Sequence, residues 1–275
     1  MFESFREPGV PALVFWLFCG LAVLFQGIGK SGFAGGLGLL SVPMMVLVMP
    51  VDKVAATLLP LLILCDINAV YYHWNNRDWS IVLRVFLPSI IGIVLGAALW
   101  WRIGAAGVEA WELPLKRLVG IVGLAFACYI FAKEMSMAWA GRHRLGRRAA
   151  WVFGIAAGFA STLIHAAGPI VNLYIFSQGL GKTLFVGTVA WTFLLINVTK
   201  LPFYAAAGLV DQSVLVFDLA LVPLIPLGSW LGHWMHHRVP ERPFNWLVLV
   251  LTLVAAVQLV FDIPLVQMGL ALLAE

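Results

Sequence analysis

The sequence predicts an all-α polytopic membrane protein of two inverted-topology repeats, with about eight long helices and two short broken or re-entrant segments. Three observations carry this reading. Of 275 residues, 62% are hydrophobic and only 11% are charged, with a mean hydropathy of +0.98; soluble domains carry about 25% charged residues. Runs such as SIIGIVLGAALWW (89–101) are continuously apolar, whereas membrane β-barrels alternate apolar and polar positions, so helices are the spanning elements. The order of long and short apolar segments also recurs along the chain.

The first apolar segment covers 10–33. Its leader, MFESFREPGVP, lacks the positive stretch and small-residue cleavage site of a secretory signal, so this helix is read as retained. Segments near 54–73, 80–101, 115–135, 183–207, 213–235 and 243–262 meet the roughly 20-residue spanning length, and 148–165 comes close. Two more, 37–50 and 167–178, are too short for a perpendicular crossing. The basic stretch SMAWAGRHRLGRR (136–148) separates a first repeat, 1–135, from a second, 149–275. In each half a helix leads to a Gly-rich break, then a short segment, then three long helices.

Matched spacings support a duplication. Lys53 to Asn68 is 15 residues, as is Lys182 to Asn197; GIVLG (92–96) is followed six residues later by Arg102, and GSWLG (228–232) by Arg238. An odd number of long crossings plus a broken segment in each half inverts the second copy relative to the first. Lys/Arg counts fix the orientation. With the 133–148 loop inside, nine fall on the cytoplasmic side (Arg77, Lys133, Arg142, Arg144, Arg147, Arg148, Lys182, Arg238, Arg242) and five outside (Arg6, Lys53, Arg102, Lys116, Arg117). The protein is therefore expected in the cytoplasmic membrane with both termini outside.

The breaks, GIGKSGFAGGLG (27–38) and GFASTLIHAAGP (158–169), are where chemistry is expected. Non-helical backbone survives at membrane depth only where protein or a watery cavity covers it. Segments that restart after a break present free N–H groups and a positive dipole end, which suit an anion. This predicts a small-anion site between 29–38 and 162–170. Gly29, Gly32, Gly35, Gly36 and Gly38 on one side, and Gly168 and Pro169 on the other, would form its walls. The alternative for such glycines is close helix packing, and that is the reading for GIVLG and GSWLG.

Lys30 in mid-membrane costs at least about 2.5–3.5 kcal/mol, so it is expected opposite an anionic substrate; the alternative is snorkelling to an interface. Asp66, the deepest acid, is a proton carrier or a partner for Lys30. His165, with a reference pKa of about 6.5, is a substrate donor, a proton carrier or a packing residue. Asn68 and Asn197 occupy matched positions, and either ligand contact or structural pairing explains them. Ser31, Gln26, Ser161, Thr162 and Asn172 are neutral donors beside the breaks. Arg84, Lys200 and Asp218, nearer their segment ends, are read as snorkelling.

Several classes are excluded or disfavoured. The GKS at 29–31 and GKT at 181–183 lack the phosphate-loop glycine five residues upstream, where Leu24 and Phe176 stand. The HHR run at 236–238, placed in a loop, lacks the further ligands a metal needs, so no metal and no cofactor are expected. Cys19, Cys65 and Cys128 have no paired spacing and are read as buried thiols. The charge of +4 reads as topology, not as a nucleic-acid surface.

The stretches GKSGFAGGLGLLSVPMMV, MPVDKVAAT and HAAGPIVNLYIFSQGLGKT resemble the TauE/SafE family of membrane transporters, over essentially the whole chain. The resemblance implies transport of sulfite, organosulfonates or other small sulfur-containing or carboxylate anions, often outward. It carries a role onto Gly29, Lys30, Gly32, Gly35, Gly36, Gly38 and Pro43, with Gly168 and Pro169. Ala34, Leu37 and His165–Ala166–Ala167 depart from the family pattern.

The function expected is therefore secondary transport of a small anion by alternating access, with proton coupling through Asp66 or His165 as a hypothesis. An anion channel using the same break is the alternative. A membrane-embedded enzyme is disfavoured, because intramembrane His and carboxylate groups are sparse. The partners expected are the anion and the lipid bilayer, with a homodimer left open.

Overall fold

Helix starts in this protein follow the punctuation of the sequence. The computed structural model describes residues 3–32, 37–135, 145–238 and 241–263, and among these every regular element is helical. Pro11 precedes α1 (Ala12–Gly32), and Pro50 is the N-cap of α3 (Val51–Tyr72). A 3-10 turn at Leu37–Leu40 runs into the short α2 (Ser41–Val46). Asp78 caps α4 (Trp79–Ala106) by accepting from the Ile81 N–H at 3.1 Å, satisfying one orphan donor of the first turn. α5 (Glu112–Met135) closes the first half.

The second half follows the same order. α6 (Arg147–Ile164) gives way to a break of three residues, His165 to Ala167, and α7 (Gly168–Phe176) restarts with Pro169 in its first turn, where its missing N–H costs nothing. α8 (Lys182–Ala206) is long. The expected straight span over 213–235 is instead two helices, α9 (Gln212–Leu221), capped by Asp211, and α10 (Leu224–Arg238), bent by 47°. Pro223 lies at the joint and cannot donate to the helical ladder. α11 (Glu241–Phe261) follows.

Among the described residues four helices (α1, α3, α4 and α8) are long and apolar enough to cross a membrane, or five if the α9–α10 pair counts as one span. The expected count of about eight is not reached by that measure. α6 opens on Arg147–Arg148, and α5 carries Glu112, Lys116 and Arg117 in its first turns. The exposed side chains include Leu87, Trp101, Trp151, Leu219, Trp230 and Phe261. In water so much exposed apolar surface is a liability; against lipid it is the ordinary exterior. The protein is an integral membrane protein.

Two crossings organise the bundle, α4 on α6 and α1 on α10. Both are made by glycine. A methyl group added at Gly158 would land on the Ser89 carbonyl, and one at Gly92 on the Ile155 carbonyl; one at Gly232 would land on the Ile28 carbonyl, and one at Gly32 on that of Gly232. Backbones meet directly there, as small-residue interfaces allow. GIVLG and GSWLG are thus packing glycines. α3 pairs with α8 and α5 with α11. One core gathers α2, α3 and α9 around Met45, Leu58, Leu61 and Phe217; a second gathers α4, α7 and α8 around Val85, Tyr174 and Ile196. Cys19 and Cys65 are buried as expected, but Cys128 is exposed, because α5 packs chiefly on α11 and turns its other faces outward.

Candidate functional site

α1 does not break where its glycines begin. It continues through Gly29, Lys30, Ser31 and Gly32, all buried, so these residues form the carbonyl end of a helix and not an exposed loop. Gly32 meets the Gly232 backbone, and its carbonyl accepts from His236 Nδ1 at 2.6 Å. The Ser31 carbonyl accepts from His73 Nε2 at 3.0 Å, while the Ser31 hydroxyl is buried. Two imidazoles thus satisfy carbonyls that a helix end leaves orphaned. His236 lies in α10, buried, and not in a loop as its sequence neighbourhood suggested. Gly35 and Gly36 lie outside the described residues.

Lys30 neither snorkels nor stands alone. Its ammonium is 2.6 Å from Asp66 Oδ1, donates to the Leu62 carbonyl at 3.2 Å and lies 5.6 Å from the centre of the Phe193 ring. The other oxygen, Asp66 Oδ2, accepts from Asn197 Nδ2 at 2.6 Å. Lys30 is 7% exposed and Asp66 0%. Charges so buried require a partner and further hydrogen bonds, and both are present. The pair joins α1 to α3, and the amide joins α3 to α8.

The second break is closed by His165 itself. Its φ of +52° places it in the left-handed region, uncommon for a side-chain-bearing residue although histidine is among those enriched there. Its N–H bonds to the Ser161 carbonyl, and the Ala166 N–H to the Ala160 carbonyl, which ends α6 in the manner of a glycine cap. The ring is anchored on both sides. Nε2 is 2.9 Å from the Ala55 carbonyl, an acceptor, so Nε2 carries the proton; Nδ1 then accepts from Lys200 Nζ at 3.0 Å. Lys200 also donates to the Ser161 hydroxyl at 2.9 Å and the Ser161 carbonyl at 3.0 Å, which uses all three of its N–H bonds.

Between these two groups lies a cavity of about 30 Å³, room for one or two bodies the size of a water molecule. Lys30, Gln26 and Gly38 line it from the first break; Ser161, His165, Ala167 and Gly168 line it from the second; Asn197 and Phe193 complete it from α8. Gln26 Nε2 donates to the Gly38 carbonyl at 2.8 Å, holding the restarting segment against α1. Two lysines and one carboxylate are buried in this region, and only Lys30 is paired with the carboxylate.

Several expected residues point elsewhere. Asn68 donates to the Leu64 carbonyl of its own helix at 3.0 Å, so the matched asparagines differ in use. The Thr162 hydroxyl returns to the Gly158 carbonyl, and the Thr162 carbonyl accepts from Trp100 and Tyr204, which makes it part of the α4–α6 seam. Asn172 and Pro169 are half-buried in α7 and do not line the cavity. Pro43 lines a separate apolar cavity of about 20 Å³ behind His165. Arg84 is exposed, whereas Lys200 and Asp218, also expected to snorkel, are buried at 0% and 4% exposure. Lys200 is the principal omission. The signal was present: Asn197, Lys200 and Tyr204 fall at i, i+3 and i+7, one face of a helix, and that face points inward.

A polytopic helical membrane protein whose two helix breaks meet at a buried, lysine-bearing polar cavity has the form of an anion transporter. A family model described as Sulfite exporter TauE/SafE matches residues 19–259. The chain belongs to that family, whose members are membrane transporters. No curated protein and no solved structure matches the chain.

Proposed function

We propose that this protein is a secondary transporter that carries a small anion across the cytoplasmic membrane by alternating access. Sulfite, an organosulfonate, or a related sulfur-containing or carboxylate anion is the substrate class. The observation that carries the reading is the cavity where both breaks converge, bordered by Lys30 and backed by Lys200 with a single carboxylate between them. The substrate would contact Lys30, Asn197, Ser161 and the backbone at Gly38 and Gly168.

The recurring order of helix, break, short helix and long helices supports two inverted repeats, in the units 1–135 and 149–275. Exchanging the halves converts the α4–α6 crossing into α1–α10, and α3–α8 and α5–α11 into themselves, as a pseudo-two-fold axis requires. Each glycine-locked crossing takes one helix from each half. The bodies that rock are then these interlocked bundles. Both termini face outward in this reading.

Proton coupling runs through Asp66 in preference to His165, because both ring nitrogens of the histidine are engaged by Ala55 and Lys200. While ionised, the Asp66 carboxylate occupies Lys30 in place of a substrate. Protonation of Asp66 releases the lysine to the anion, so proton and anion enter together. Purified protein in liposomes tests this. Sulfite flux should respond to an imposed pH gradient, and Asp66→Asn should keep binding while losing that response. Flux indifferent to the gradient sinks the coupling; unchanged sulfite affinity in Lys30→Met, read by thermal shift, removes Lys30 from the site.

A further inference from the structure

A third and larger concavity lies on the exposed side of the α4–α6 pair, away from the cavity between the breaks. It is a groove of about 430 Å³ lined by Ser80, Leu83, Arg84, Leu87, Arg147 and Trp151, among others. We propose that this groove is a specific binding site for an anionic phospholipid, with its phosphate between Arg84 and Arg147.

The charge argument comes first. Arg84 and Arg147 are both exposed, no carboxylate lines the groove, and among the described residues neither arginine has an ion pair. Two guanidinium forks from different helices present donors suited to one phosphate. Ser80 adds a hydroxyl at the same level. Basic grooves between membrane helices are the usual receptors of anionic headgroups.

The apolar part identifies the ligand as a lipid and not a free anion. Leu83, Leu87, Ile91 and Leu95 are 43%, 57%, 45% and 53% exposed. Spaced by four, they form one stripe along α4 that starts beside Arg84. Twelve residues at 1.5 Å each make a track of about 18 Å, more than half of a hydrocarbon core of about 30 Å. Trp151, 55% exposed on α6, stands at the charged end, where interfacial tryptophans are expected. A phosphate between the arginines with an acyl chain over Leu83 and Leu87, which line the groove, and on along Ile91 and Leu95 beyond it satisfies both the charged groove and the apolar stripe. A second copy of this protein, related by a two-fold axis through the groove, would bring two more arginines against these two. The lipid would also tie α4 to α6 at the end of their glycine crossing.

Native mass spectrometry on delipidated protein tests this, with phosphatidylglycerol and phosphatidylcholine of identical acyl chains. Wild type should bind phosphatidylglycerol in preference to phosphatidylcholine. Arg84→Gln with Arg147→Gln should bind it about thirtyfold more weakly, the factor equivalent to about 1 kcal/mol for each arginine. Arg102→Gln with Arg117→Gln removes two exposed arginines elsewhere and should bind as wild type does. The proposal fails if the two double variants weaken equally, if the two lipids bind alike, if the groove variant binds as wild type, or if it alters only a monomer–dimer balance. None of these outcomes depends on the transport reading.

Discussion

Lys30 and Lys200 approach the same cavity from opposite halves of the chain, and they are held in different ways. Lys30 is paired with a carboxylate at 2.6 Å and borders the cavity. Lys200 sits one layer back, saturated by neutral acceptors, the two oxygens of Ser161 and the His165 ring. Under the spacing that matches Asn68 with Asn197, the partner of Lys30 is Phe159 and that of Lys200 is Tyr71. The scaffold of breaks and crossings recurs, and the charges placed on it do not. If the two halves are copies of one frame, the charges on it were not copied, and the cavity has two unlike walls, one where a carboxylate pairs with Lys30 and one where neutral acceptors surround Lys200.

The largest effect expected from breaking this contrast is at Asp66. Asp66→Ala leaves Lys30 buried without its counter-charge, at a cost of about 3–5 kcal/mol. It should appear as a large fall in the thermal unfolding temperature of the purified protein. Combining Lys30→Met with Asp66→Leu removes both charges and should recover most of the loss. If the double variant is no more stable than Asp66→Ala alone, the pair is not the energetic unit its geometry indicates.

Lys200→Met should cost less, about 1–3 kcal/mol, because it strands neutral acceptors and not a charge. Its signature is at His165. With Nδ1 released, the ring loses the lysine that holds it in one tautomer, and nitrogen NMR should show a mixture where wild type shows protonated Nε2 alone. A single unchanged tautomer would mean that the Ala55 carbonyl suffices to orient the ring.

Much of this frame is legible in the sequence, because membrane helices announce themselves by composition and glycine marks both breaks and crossings. Eight of the ten apolar segments correspond to single helices within a few residues; the exceptions are 37–50, a 3-10 turn followed by the short α2, and 213–235, divided at Pro223, since a hydropathy window does not register a bend. The site is less legible. Glycine in GIGKSGFAGGLG reads as exposed backbone, with packing surface as the alternative. For Gly32 the deciding fact is its contact with Gly232, two hundred residues away. Lys200 differs from its expectation because nearness to a helix end predicts snorkelling, whereas the side chain's direction, set by tertiary packing, decides. The Lys30–Asp66 pairing was one of two readings for Asp66; sequence spacing across two helices does not determine which residues meet.

If the two crossings are equivalent parts of a repeat, they should respond alike to the same insult. Gly158→Ala drives a methyl group into the Ser89 carbonyl, and Gly232→Ala drives one into the Ile28 carbonyl. Neither neighbour is a flexible side chain, so overpacking should cost about 1–3 kcal/mol at each. Thermal unfolding of the two variants side by side measures this. A loss confined to one of them would show that only one crossing is tight, which would count against a pseudo-two-fold arrangement of rigid bundles.

The finest comparison is between the aspartates that begin α4 and α9. Asp78 accepts from the N–H of Ile81 and Asp211 from that of Val214, each three residues on, so Asp78→Ala and Asp211→Ala should each cost about 1 kcal/mol. Asp211 offers a further handle, because its carboxyl is held below the usual carboxylate range, first by the Ser213 hydroxyl and then by the Val214 N–H. A folded-state value below the unfolded one means that the cap's electrostatic contribution is fully present above the unfolded pKa of about 3.9 and is lost as the pH falls through the lower folded value. The Asp211→Ala penalty should therefore be full near neutral pH and shrink at acid pH, while Asp211→Asn, a good cap without a charge, should show no such trend. Melting temperatures across that range decide it. A penalty for Asp211→Ala that stays constant into acid would mean that the hydrogen-bond geometry alone, and not the ionised carboxylate, starts the helix.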